Sequence, residues 1–292
     1  MNKPTIFFLT ILLLLLPVPL LSAQTVSTEI PENFDLMKSP RALRILTYNI
    51  RACRGLNDLF GLNPALSGNI ISALSPDIAG IQEVDRNNNR SQGEDQILLL
   101  GEMTGLYSHY GKAIDFSGGE YGIGVLTAED AISVRTVSLP GEEEPRVLIE
   151  VELKDIVLFN THLSLTSSSR TESATIINGE IAQYDKPILL TGDMNVSGED
   201  EIFQLFGDRW TVLSPDEMSF PADVPRERLD YIMITDPTNK IPVNSPTWIE
   251  SVLKSGVVPT IASDHRPVYI DLDFERIRSA LHRTESSEHF RE

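Results

Sequence analysis

Six short segments of this 292-residue chain share one layout, in which an apolar, strand-like run abuts a carboxylate, an amide or a histidine. They are Arg-Ile-Leu-Thr-Tyr-Asn at 44–49, Ile-Ala-Gly-Ile-Gln-Glu at 78–83 and Ile-Val-Leu-Phe-Asn-Thr-His at 156–162. The others are Pro-Ile-Leu-Leu-Thr-Gly-Asp-Met-Asn at 187–195, Leu-Asp-Tyr-Ile-Met at 229–233 and Ser-Asp-His-Arg-Pro-Val at 263–268. The polar groups so collected are Asn49, Glu83, His162, Asp193, Asn195, Asp230, Asp264 and His265. Carboxylate and amide oxygens suit a hard divalent cation. Amide and imidazole N–H groups suit phosphate oxygens, and an imidazole steadied by a carboxylate suits proton transfer. Strand ends are where an α/β sheet gathers such groups.

Each motif also has a plainer explanation. Gly192-Asp193-Met194-Asn195 places an acid and an amide on the same side of an extended segment, yet Gly, Asp and Asn are all turn formers. Ser263-Asp264-His265 fits either a Ser-Asp turn before a strand or a histidine with work to do. Asp264 is adjacent in sequence, so it turns more readily toward a metal or a backbone group. Asp230 is the better partner for the imidazole, fixing its tautomer and stabilising its charged form. Glu83 ends an apolar run, and a carboxylate so placed is a natural ligand for Mg²⁺. Asp85 is either an outer neighbour of the site or a solvated acid. Glu120, in Gly-Gly-Glu-Tyr-Gly, is either a hairpin acid or a partner for His162. Arg146 follows the acidic run 142–144, which it either balances or leaves to reach phosphate. Arg226 and Arg228 lie in the loop before Asp230, within reach of a substrate.

The elements that must position these groups follow from periodicity and punctuation. Strands are predicted at 42–49, 77–82, 109–116, 121–127, 131–139, 146–153, 156–161, 187–192, 210–213, 229–234, 247–253 and 267–273. Helices are predicted at 64–75, with Asn63 as N-cap and Pro64 at the first position, at 94–104 closed by Gly105, at 169–184 and at 199–206. Strand–helix–strand units thus flank an antiparallel middle. That pattern implies an α/β (α+β) sandwich of mixed sheets with helices outside.

Composition narrows the setting. The formal charge is −18, with one cysteine, Cys53. No internal disulfide can form, and Cys53 reads as a small, partly buried residue. An acidic surface argues against a broad grip on duplex nucleic acid, which needs Lys and Arg on phosphates. It leaves local phosphate chemistry open, because a bound cation inverts the field of a pocket. Residues 1–23 have the build of a secretory signal: Lys3, an apolar core from Ile6 to Leu16, then Leu21-Ser22-Ala23. The expected organisation is a signal peptide at 1–23, an exposed leader at 24–40, one domain at 41–275 and a charged tail at 276–292, in a secreted or periplasmic monomer.

Taken together and in order, the six segments resemble the endonuclease/exonuclease/phosphatase superfamily of metal-dependent phosphoesterases. The resemblance covers about residues 42–274 and rests on Gly-Asp-Met-Asn, Ser-Asp-His and the upstream Gln-Glu. It implies a deoxyribonuclease I-like four-layer sandwich, two sheets packed face to face with helices outside. It implies Mg²⁺ or Mn²⁺ on Glu83, with Asn49 and Asp264 close by. His162 would contact the scissile phosphate or protonate the leaving group. Asp193 would position water or bind metal, and Asn195 would hold phosphate. His265 would serve as base or phosphate ligand, oriented by Asp230. The expected activity is hydrolysis of a phosphodiester, nucleic acid or otherwise. A phosphomonoesterase or a sphingomyelinase-like phospholipid hydrolase is the alternative, and no long apolar hairpin favours the latter. A secreted binding module that kept the fold and lost the chemistry would show a broken set, and this set is complete.

Overall fold

The structure is a computed structural model that describes residues 27–198 and 200–288. The segment expected to be a signal peptide lies outside the described residues. Twelve strands follow in chain order: β1 Leu43–Asn49, β2 Ile78–Arg86, β3 Tyr107–Phe116, β4 Gly119–Thr127, β5 Ser133–Leu139, β6 Arg146–Glu152, β7 Val157–His162, β8 Ile188–Asp193, β9 Thr211–Val212, β10 Asp230–Thr235, β11 Val252–Val257 and β12 Val268–Leu272. The helices are α1 Pro64–Leu74, α2 Gln96–Thr104, α3 Ser167–Glu180, α4 Ile202–Gly207, α5 Pro246–Glu250 and α6 Phe274–Glu288.

The strands form two six-stranded mixed sheets, in the orders β11-β12-β1-β2-β4-β3 and β5-β6-β7-β8-β10-β9. Each sheet has one parallel pair at its centre, β1 with β2 and β7 with β8, and antiparallel strands elsewhere. Alternation along a strand sends successive side chains to opposite faces. Ile45, Ile123, Ile149, Leu189, Ile232 and Ile270 accordingly meet between the sheets. Leu46 and Tyr48 turn outward onto Ile70, Ile71, Leu74 and Leu100 of α1 and α2. Phe159, Leu190 and Met233 pack outward against Ala174 and Ile177 of α3 and Phe206 of α4. Both faces of both sheets are therefore covered. This is the expected four-layer sandwich, and it explains why the central strands read as continuous apolar runs.

Several expected boundaries shift for local reasons. Asn63 stands at the N-cap position of α1 but makes no side-chain capping bond, whereas Asp95 caps α2 by accepting from the Leu98 N–H. The strand expected at 247–253 divides into α5 and β11, because Ser245 caps a helical turn that Pro246 begins. β2 runs on past Glu83, with a register shift against β4 between Ile81 and Val84. The leader is not simply exposed. Ile30, Phe34 and Leu36 lie against the α1–α2 core, and the Ile261 N–H donates to the Ser27 carbonyl. The division placed at 275/276 falls inside α6, whose Ile277 is fully buried in the core between the sheets.

Candidate active site

Asp193 is the hub. It ends β8, where register sets it beside His162 at the end of β7 and Asp230 at the start of β10. One sheet thus lines up three of the expected groups with no help from loops. His162 Nε2 and His265 Nε2 each lie 3.5 Å from Asp193 Oδ2. Behind His265, Nδ1 donates to Asp230 Oδ2 at 2.9 Å. Asp230 is therefore the partner of the imidazole, as expected, and its adjacent acid Asp264 is not.

The other sheet delivers Asn49 and Glu83. Asn49 ends β1 level with Gln82 on β2. Glu83 follows at the register shift with φ 59°, a left-handed conformation uncommon outside glycine. Such bulges re-aim a side chain out of the strand's alternation. Here the result is that Asn49 Nδ2 donates both to Glu83 Oε1 and to Asp193 Oδ2, each at 3.0 Å. One amide thus ties the two sheets together at the mouth of the site.

Asn195 completes the wall. Its backbone N–H donates to Asp193 Oδ1 at 2.8 Å. Its Nδ2 donates to the Leu163 carbonyl at 2.8 Å, which fixes the amide's orientation, and then meets His162 Nε2 at 2.9 Å. That nitrogen of His162 must accept, so the ring is neutral with its proton on Nδ1. Electrostatics agree. Burial, with the charges of Arg146 and His265, pulls His162 down to about 4 against the opposing pull of Asp193. Burial also works against a charge on His265, but Asp230, Asp193 and Asp264 outweigh it and hold the imidazolium up to about 10. Two histidines on one carboxylate thus carry different charges.

Asp264 sits on the same rim, with Oδ2 3.1 Å from Arg51 Nε. Burial raises the Glu83 carboxyl, and the neighbouring charges of Asp264 and Asp193 raise it further, against the Asn49 bond and His265. Arg51 and the His265 imidazolium answer part of this negative charge, and a bound cation would answer the rest. The carboxylate oxygens of Glu83 and Asp264 beside Asp193, with Asn49 bonded to Glu83, fit a hard divalent ion. Asp193, Asp230 and His265 also offer ligand atoms within 4.8 Å of one another. Of these, His265 Nδ1 and Asp230 Oδ2 are already bonded to each other, so that trio is better suited to holding a proton than a metal.

The remaining expected residues are engaged with other partners or exposed. Glu120 pairs with Arg86 at 3.6 Å and Lys112 at 3.4 Å rather than with His162, which is the hairpin role. Arg146 is nine-tenths buried and balances the acidic run, at 2.9 Å from Glu143 and 3.1 Å from Glu144. Arg228 pairs with Asp216 and covers the Tyr231 ring, and Arg226 is exposed. Asp85 is buried and bonded in a fork to Arg90, a structural role. Cys53 is buried, and burial pushes its thiol up to about 12, so it is inert.

Sequence reasoning missed four supports. Ser219 Oγ donates to Asp230 Oδ2 at 2.6 Å, and the Phe220 ring lies 4.7 Å from the His265 ring. Both come from a loop without periodicity, so no pattern marked them. Arg51, which holds Asp264, stands two residues past Asn49 in a turn with φ 48°. Asn160, two residues before His162 on β7, was within reach of the period-two rule. It accepts from Gln82 at 2.7 Å and donates to the carbonyls of Ile81 and Gly124, riveting the sheets beneath the site. The rivet leaves no room at Gly80, where a Cβ would meet Asn160 Oδ1 at 2.5 Å and Thr191 Oγ1 at 2.2 Å.

Comparison by fold returns solved structures with a similar fold. An endonuclease/exonuclease/phosphatase from Beutenbergia cavernae superposes with TM-score 0.63 at 20% identity, over 80% of this chain and 71% of that one. A mannosyl-6-phosphatase from Bacteroides thetaiotaomicron gives TM-score 0.63 at 17% identity, over 79% and 99%. The human Nocturnin catalytic domain, with bound sulfate, gives 0.57 at 16%, over 80% and 95%. Comparison by sequence with curated proteins returns no match. The family model described as Endonuclease/Exonuclease/phosphatase family matches residues 46–265, a span that begins in β1 and ends on His265. The chain is a hydrolase of phosphoric ester bonds that belongs to the endonuclease/exonuclease/phosphatase family.

Proposed function

We propose that this protein is an exported, Mg²⁺- or Mn²⁺-dependent phosphodiesterase. The observation that carries the reading is Asp193. It is one buried carboxylate held by Asn49 and within 3.5 Å of two histidines in opposite charge states. Export rests on the secretory build of residues 1–23.

Glu83, with Asn49 and Asp264, would hold the metal, which when bound neutralises charge on the phosphoryl and leaving oxygens. Asp193 orients the attacking water and takes its proton. The water oxygen bonds to phosphorus as the ester P–O bond breaks, and the leaving oxygen takes a proton from solvent. In-line attack places nucleophile and leaving group on opposite sides of phosphorus. His265 stands only 3.5 Å from Asp193, too close to serve the far side. Its imidazolium therefore donates to a non-bridging oxygen, and Asp230 keeps that charge in place. Asn195 and neutral His162, bonded to each other, brace the wall of the site on the other side of Asp193. A diester leaves one ester substituent free of these groups.

The test is hydrolysis of bis-p-nitrophenyl phosphate against p-nitrophenyl phosphate, with Mg²⁺, Mn²⁺ or EDTA, alongside Asp193→Asn and His265→Ala. The expected result is EDTA-sensitive diester cleavage that falls at least a hundredfold in both variants. Preference for the monoester would make the protein a phosphatase. Full metal-dependent activity in His265→Ala would refute the mechanism.

A further inference from the structure

Arg170 stands near the start of α3, where its charge faces the positive end of the helix dipole, and it is only 7% exposed. Neither setting favours a guanidinium, so its partners hold it there. Its Nη1 donates to two carbonyls of the loop that follows His162, Ser164 at 3.2 Å and Leu165 at 2.6 Å. Its Nη2 donates to Asp200 Oδ2 at 2.8 Å, in the loop that follows Asn195. One planar fork thus spans the two loops that leave the catalytic ends of β7 and β8.

Both loops are tied to the site close to these bonds. In the first, the Leu163 N–H donates to the Asp193 carbonyl at 2.9 Å, and the Leu163 carbonyl takes the Asn195 amide at 2.8 Å. In the second, the Asn195 N–H donates to Asp193 Oδ1 at 2.8 Å. Asp200 anchors that loop, donating its N–H to the Ser197 carbonyl and accepting from the Ile202 N–H at the start of α4. The Asn195 amide spans from one loop to the other, so its bond to His162 Nε2 depends on their spacing. Glu143 fixes the first loop to the β5–β6 turn, accepting from Ser164 Oγ at 2.7 Å and the Leu165 N–H at 2.9 Å. Arg170 fixes that loop to the second.

We propose that Arg170 is a positioning residue of the active site. By setting the spacing of the loops after β7 and β8, it aims the Asn195 amide at His162 and, through the Asn195 N–H, steadies the Asp193 carboxylate. This rests on Asp193 being the group that activates water. Arg170 acts through the two loops, so its effect falls on turnover and not on substrate affinity. A lysine keeps the charge but carries one nitrogen in place of the fork, and cannot serve both loops with the same geometry.

The test compares wild type with Arg170→Lys and with Ile277→Ala, a destabilising change in α6. Turnover is measured on bis-p-nitrophenyl phosphate and p-nitrophenyl phosphate with Mg²⁺ or Mn²⁺. The Asn195 side-chain amide is followed by ¹⁵N NMR, assigned from its loss in Asn195→Asp. In Arg170→Lys, kcat on the ester that wild type cleaves falls about tenfold to a hundredfold, KM stays within about twofold, and the amide signals move. Ile277→Ala, melting no higher than Arg170→Lys, keeps wild-type kcat and amide signals. Asp200→Asn, which weakens the other half of the clamp, moves both readouts the same way and serves if Arg170→Lys does not fold. Unmoved amide signals overturn the inference whatever the activity. Moved signals with kcat within about threefold of wild type overturn it too, as does an equal loss of kcat in Ile277→Ala. A wild type that cleaves neither ester refutes the phosphodiesterase reading instead, and the amide signals then decide the clamp by themselves.

Discussion

Replacing Asp230 by Asn isolates what holds the charge on His265. The two carboxylate-sized side chains occupy the same space, so the Ser219 and His265 contacts at 2.6 Å and 2.9 Å keep a partner atom while the negative charge goes. His265 is raised from 6.5 to about 10 against burial, by Asp230, Asp193 and Asp264 together. That rise corresponds to roughly 5 kcal/mol at about 1.4 kcal/mol per pKa unit. Assigning about half to the hydrogen-bonded neighbour gives about 2 kcal/mol, roughly 1.5 pKa units, which brings the imidazole down to titrate between about pH 8 and 9. The assay is the His265 ring-proton shift against pH by NMR, in EDTA. Wild-type His265 stays charged past about pH 9, and the variant loses its charge between about 8 and 9. Stability follows the same linkage. A folded pKa raised above the unfolded 6.5 stabilises fully below that value, and the gain is lost as pH rises toward about 10. The stability gap between wild type and Asp230→Asn should therefore be largest near pH 6 and close toward pH 10. Diester turnover should fall by two to four orders of magnitude. An unchanged titration curve, or turnover within threefold of wild type, would refute the assigned pairing.

Three further outcomes follow from other parts of the molecule. Glu83→Gln should abolish the Mg²⁺-dependent rise in melting temperature, which for wild type at a hundredfold excess over Kd reflects about 2.7 kcal/mol; an undiminished shift would place the metal elsewhere. Asn160→Ala removes a buried side chain that bonds Gln82, Ile81, Gly124 and Thr191, leaving several polar groups unpaired. It should cost about 3 kcal/mol in urea unfolding, and a loss under 1 kcal/mol would mean the sheets are not riveted there. Ile277→Ala should cost about 2–4 kcal/mol by the same measurement, because Ile277 is fully buried between the sheets; a silent substitution would make α6 dispensable.

The mixed-sheet sandwich was legible in the chain because its strands are short, apolar and punctuated, and because alternation is a local property; the four-layer arrangement was what the family resemblance implied. Asn49, Glu83, His162, Asp193 and His265 stood out because each abuts an apolar, strand-like run, and the resemblance joined them into one site. The split of 247–253 into α5 and β11 was also open to reading, since Ser245-Pro246 is a capping signal, but the apolar run that follows masked it. α6 misled in the opposite direction. A charged sequence hides one buried face, and only the sheet edge it packs on shows which residues form that face.

What only the tertiary structure decided is pairing. Spacing could not say that Glu120 belongs to Arg86 and Lys112, or that Arg146 belongs to its own acidic run. Nor could it find Ser219 and Phe220, brought to Asp230 and His265 by a loop whose order no period encodes. The opposite charge states of His162 and His265 are likewise absent from the sequence. Both follow from which neighbours surround a buried ring, Asn195 and Arg146 in one case, Asp230 and Asp264 in the other. Local chemistry chose the residue types and the strands that carry them. Register and sheet packing, which depend on contacts between distant segments, chose their partners and so their protonation.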